Sequence, residues 1–124
     1  MKILVVDDDD GLRSFLAREL EQRGFGVMQT HFGDGGLSLY KKDGPWEFVL
    51  SDYKFIPGPA IKDGVQLLAA IRGMNRLQPM ALMTSDPKEA RKKLPQALQY
   101  LPVIRKPFRL EQVLHLLRQP ILPL

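Results

Sequence analysis

Short apolar runs alternate along this chain with segments whose apolar residues recur every three or four positions. The run Ile3-Leu4-Val5-Val6 reads as a buried strand. Over residues 11–23, Leu12, Phe15, Leu16 and Leu20 fall on one helical face, with Asp9 or Asp10 as N-cap and Gly24 as the stop. Residues 25–30 form a second strand. Residues 35–42 make a poor helix, weakened by Gly35 and Gly36. The turn Asp43-Gly44-Pro45 leads to a third strand, Phe48-Val49-Leu50, which ends at Asp52.

A loop over 53–63, holding Pro57, Gly58 and Pro59, precedes a helix over 64–74 with Leu67, Leu68, Ile71 and Met74 facing inward. Met80 to Met83 is a fourth strand ending at Thr84. Residues 87–98 have helical spacing, but Pro95 makes that helix short or irregular. Val103-Ile104 is a fifth strand, and Leu110, Val113, Leu114 and Leu117 mark a final helix. Five uninterrupted apolar strands, each followed by a helix, predict an α/β fold. The sheet is parallel, doubly wound, covered on both faces and joined by right-handed crossovers.

At 124 residues the chain is sized for one core. It has no cysteine, which excludes disulfides, thiolate catalysis and Cys-ligated zinc. No basic leader precedes the first strand and no apolar stretch is long enough for a bilayer, so a cytoplasmic location is expected. The formal charge of +4 is local: residues 86–109 carry seven Lys/Arg against Asp86 and Glu89. Such a patch attracts acidic protein or nucleic acid, and its plainer reading is a solvated helix face.

The first strand stops in four consecutive carboxylates, Asp7 to Asp10. Aspartates cap helices, and that is the reading for Asp9 and Asp10. In an open parallel sheet, however, ligands bind beyond the carboxyl ends of the strands. Asp7 and Asp8, Asp52, Thr84 and Lys106 all follow strands there. Together they provide carboxylates for a hard cation such as Mg²⁺, a carboxylate nucleophile, a hydroxyl donor and a fixed cation. Phosphoryl transfer needs that combination, because it depends on positioning and on neutralising oxygen charge. His31, His115 and Trp46 are read as non-catalytic.

In order and strand placement, Val5-Val6-Asp7-Asp8, Leu50-Ser51-Asp52, Met83-Thr84-Ser85 and Arg105-Lys106-Pro107-Phe108 resemble the response regulator receiver domain of two-component signalling. The resemblance covers residues 1–119, leaves 120–124 as a short Pro-containing tail, and implies no output domain. It implies the CheY-like strand order 2-1-3-4-5. It also implies that Asp52 is the phosphoacceptor and that Asp7, Asp8, Asp52 and the backbone carbonyl of Lys54 hold Mg²⁺. Thr84 and Lys106 would bind the phosphoryl oxygens, a cis bond would join Lys106 to Pro107, and Lys54 and Asp86 would flank the attacking water in dephosphorylation.

The implied function is a phosphorylation-controlled switch, not an enzyme on external substrates. Its partners would be a sensor histidine kinase or phosphotransfer protein and a downstream protein. The latter would dock on the fourth helix, fifth strand and fifth helix, with self-association as an alternative use of that face. Direct nucleic-acid binding is disfavoured, since no helix-turn-helix is recognisable.

Two features depart from the family. Residues 53–63 exceed the family pattern by about four, where α/β connections usually run roughly 2–6 residues. Val103 stands where the family often has an aromatic ring. Two other readings stay open: a receiver-fold binding module that is never phosphorylated, and a haloacid dehalogenase-type phosphatase using Asp7 and Asp9. The latter lacks a late acidic pair after Lys106.

Overall fold

Alternation of side-chain direction along a strand sends neighbours to opposite sheet faces, and the sequence fills both sets with apolar residues. In a computed structural model describing residues 1–123, Ile3, Val5, Leu50, Ala81, Met83 and Ile104 face one layer. Leu4, Val6, Val49 and Leu82 face the other. The strands are β1 (Lys2–Val6), β2 (Gly26–Thr30), β3 (Phe48–Asp52), β4 (Met80–Thr84) and β5 (Val103–Arg105). All neighbours pair in parallel, in the order β2-β1-β3-β4-β5.

The helices are α1 (Asp10–Glu21), α2 (Gly33–Asp43), α3 (Gly64–Met74), α4 (Pro87–Lys93) and α5 (Leu110–Arg118). Leu16 and Leu20 of α1 and Val113, Leu114, Leu116 and Leu117 of α5 cover the first face. Helices α2, α3 and α4 cover the second. The layering is the doubly wound parallel α/β arrangement expected from the apolar rhythm, and the strand order is the flavodoxin-like one that the resemblance to receiver domains implies. None of the described helices is long and apolar enough to cross a membrane.

Several local expectations shift. Asp9 is the N-cap of α1, accepting Leu12 N–H at 3.0 Å. Gly24 lies two residues beyond the cap with φ 91°, a conformation suited to glycine. Helix α2 is longer than predicted, because its glycines answer packing: a side chain on Gly36 would press on Val6. Pro95 does shorten the fourth helix, which ends at Lys93 and is followed by a 3₁₀ turn over Gln96–Leu98. Met74 does not face inward; it sits in the last turn of α3 and is 46% exposed. Phe15 is likewise partly exposed.

The 53–63 segment folds onto α2. Phe55 and Ile61 are buried, and a side chain on Gly33 would overlap both.

Candidate functional site

Parallel pairing brings the ends of β1, β3, β4 and β5 to one edge, and the predicted groups meet there. Asp7 is fully buried, Asp52 and Thr84 are nearly so, and Asp8 is exposed. Carboxylate oxygens of Asp7, Asp8 and Asp52 lie within 4.8 Å of one another. Lys106 reaches across from the end of β5, its Nζ 2.7 Å from Asp7 Oδ2 and 3.1 Å from Asp52 Oδ1. Asp7 Oδ1 accepts the backbone N–H of Asp9 at 2.9 Å. The Lys106–Pro107 bond is cis.

Burial, and next the neighbouring charge of Asp7, push the Asp52 carboxyl up to about 7 in spite of the opposing Lys106 cation. For Lys106, burial alone would lower the pKa. Its hydrogen bond to Asp7 and the charge of Asp52 outweigh that, so the ammonium is held more firmly than usual. Three crowded carboxylates facing one lysine thus keep an excess of negative charge. An all-oxygen donor set of this kind fits a hard divalent cation such as Mg²⁺.

The backbone around Asp52 is tightly set. Tyr53 N–H donates to Met83 O at 2.8 Å, and Gly64 N–H donates to Tyr53 O at 2.7 Å. A side chain on Gly64 would overlap the Asp52 carbonyl, so α3 can start this close to β3 only with glycine there. Asp63 caps α3 through Gln66 N–H at 2.9 Å. A cavity of about 360 Å³ opens beside Asp52, lined by Tyr53, Lys54, Thr84, Asp86, Glu89 and Lys106 among others. Among the described residues, the long loop contributes only Tyr53 and Lys54 to its lining.

Thr84 Oγ1 accepts Asp86 N–H at 3.0 Å, and Asp86 in turn caps α4 through Glu89 N–H at 3.1 Å. The Lys54 side chain pairs with Glu89 at 3.2 Å across the cavity. His31 and His115 are exposed and stand apart from this constellation.

Three contributors escape a reading by strand ends. Arg13 donates to the Asp7 carbonyl at 2.6 Å and to Asp10 Oδ1 at 2.5 Å, bracing the β1–α1 turn. Its spacing of three from Asp10 was the available signal. Glu89 is signalled only by its place in the first turn of α4. Asp34 bonds the backbone of the long loop, and nothing local in the sequence announces it.

Comparison with known proteins agrees with this geometry. Residues 3–118 match the response regulator receiver domain family. Response regulator MprA of Mycobacterium tuberculosis is 31% identical over 121 residues, covering 95% of this chain and 49% of MprA. The chain thus spans about half the length of that relative. The chemotaxis protein CheY4 of Vibrio cholerae superposes with a TM-score of 0.81 at 22% identity, over 97% of this chain and 98% of its own. TrrA of Thermotoga maritima, solved in complex with Mg²⁺ and BeF, gives 0.79 at 23% identity over 95% and 96%. Strand order, rim constellation and family match agree: this chain belongs to the response regulator receiver domains, the CheY-like phosphorylation switches of two-component signalling.

Proposed function

We infer that this receiver accepts a phosphoryl group on Asp52 from a histidine kinase or phosphotransfer protein. The observation that carries the reading is Lys106 bridging two buried carboxylates, 2.7 Å from Asp7 and 3.1 Å from Asp52, at the mouth of the Asp52 cavity. An Asp52 carboxylate oxygen attacks phosphorus, the bond from phosphorus to the donor imidazole nitrogen breaks, and an acyl phosphate forms. Asp7, Asp8, Asp52 and the Lys54 carbonyl would hold Mg²⁺. Bound there, the ion supplies positive charge to the phosphoryl oxygens.

Lys106 is held charged before transfer and follows the new oxygens afterwards. Thr84 gives up its contact with Asp86 N–H to donate its hydroxyl proton to a phosphoryl oxygen, which loosens the cap of α4. That differential contact is what can bias a two-state equilibrium. The affected surface, α4, β5 and α5, exposes Lys88, Lys92, Lys93, Arg105 and Arg109. An acidic protein partner or a second copy of the chain fits it better than DNA does. Asp9 spends one carboxylate oxygen as the cap of α1, which disfavours it as the second acid of a dehalogenase-type reading.

The test is intact mass after incubation with Mg²⁺ and acetyl phosphate. One phosphoryl adduct is expected on the parent and none on a folded Asp52→Asn. Labelling of the Asn variant equal to the parent would refute the assignment.

A further inference from the structure

The long β3–α3 connection is organised by one carboxylate from another element. Asp34, in the first turn of α2, accepts Ile61 N–H on Oδ1 at 3.0 Å and Ala60 N–H on Oδ2 at 3.1 Å. The loop closes on itself around this clasp. Gly58 N–H donates to Ile61 O at 3.0 Å, and Lys62 Nζ donates to Gly58 O at 2.7 Å. A side chain on Gly58 would overlap the Asp34 carboxylate, and one on Gly33 would overlap Phe55 and Ile61. Both glycines are what allow the two segments to meet.

The clasp bears on the site through Lys54. On one side Lys54 is joined to Tyr53, whose N–H and carbonyl are both fixed to neighbouring backbone, at 2.8 and 2.7 Å. On the other it is joined to Phe55, 5% exposed and pressed on Gly33. The backbone between them has one firm anchor in the sheet and one in the Asp34-held loop. Among the described residues, the Lys54 carbonyl accepts no hydrogen bond of its own that would hold it.

We propose that Asp34 is a positioning residue for the Mg²⁺ site: by fixing the 58–61 turn and Phe55 on α2, it holds the Lys54 carbonyl ready for the ion. This rests on the metal assignment above. Asp34 itself touches neither metal nor phosphoryl group. Groups that orient ligands in this indirect way commonly govern metal affinity.

The experiment is a Mg²⁺ titration followed by amide NMR shifts, with thermal unfolding in chelator run in parallel. Asp34→Ala removes both acceptors. Gly58→Ala breaks the clasp from the other side with the carboxylate intact. Both are expected to weaken Mg²⁺ binding by about tenfold, as losing a group that orients a metal ligand does, while keeping a dispersed amide spectrum. Asp34→Asn, keeping one acceptor oxygen, should fall between, and it decides the matter if either other variant fails to fold. A folded Asp34→Ala with parental Mg²⁺ affinity, beside an Asp8→Ala that binds weakly, would overturn the positioning role and leave the metal site standing. Unchanged affinity in Asp8→Ala and Asp52→Asn as well would overturn the metal site itself.

Discussion

Lys106 Nζ lies 2.7 Å from Asp7 Oδ2, so the end of β5 is tied to the end of β1 across the two strands between them. Asp7 is fully buried, and this ion pair is what compensates its charge there. Lys106 therefore serves the fold itself, with no phosphoryl group required.

Lys106→Ala should destabilise the metal-free protein. Removing one partner of a fully buried pair costs about 3–5 kcal/mol, and the partial exposure of Lys106 reduces that to roughly 1–3. Mg²⁺ held by the three carboxylates would supply the missing positive charge, so much of the loss should be recovered in its presence. Urea unfolding with and without Mg²⁺ checks this; equal losses in both conditions would argue against a shared site.

The Asp52 carboxyl, raised from 3.8 to about 7 by burial and by Asp7, binds its proton more tightly folded than unfolded. Its contribution to stability is fully present below about 3.8 and is lost as pH rises through about 7. Asp52→Asn is neutral throughout and escapes that loss. In chelator at pH 8 the variant should exceed the parent by something of order 1 kcal/mol or more. The margin should shrink steadily towards pH 4. Parallel melting curves across that range would contradict the raised pKa.

Thr84→Ala should still take up phosphate, because the nucleophile is untouched. The loss of a buried side-chain acceptor for Asp86 N–H should cost about 0.5–1.5 kcal/mol of stability. The amide shifts that phosphorylation causes in α4 should be reduced. A full response in that helix would show that the hydroxyl is not the relay.

The basic cluster should divide into two kinds of residue. Arg91 Nη1 donates to Gln99 O at 2.7 Å and Leu101 O at 2.9 Å, holding the approach to β5. Arg91→Ala should therefore destabilise by about 1.5–3 kcal/mol, the range for charged hydrogen bonds. Lys92 and Lys93 are exposed, and reversing both to Glu should leave the melting temperature and Asp52 labelling nearly unchanged while weakening partner binding or dimerisation. Equal binding at low salt would place the output face elsewhere.

The apolar rhythm by itself determined the parallel, two-sided α/β layering, while the strand order was read only from the resemblance to receiver domains. Runs such as Ile3–Val6 and Met80–Met83 are apolar at successive positions, which only a sheet buried on both faces can use. It also determined where the chemistry lies, because parallel strands put Asp7, Asp52, Thr84 and Lys106 on one edge whatever their separation in the chain. What only the tertiary structure decided depends on how side chains are aimed between elements. Local spacing does not say that Lys106 would find Asp7 as well as Asp52, or that Arg91 would turn to the β5 approach instead of solvent. It expected Met74 inward, although the end of α3 leaves it exposed. The 53–63 segment is the clearest instance. Its prolines and glycine read only as a long turn, while its path is set by Asp34 and Gly33 of a different helix. Contacts between distant segments follow from the register and docking of whole elements, and no local period encodes them.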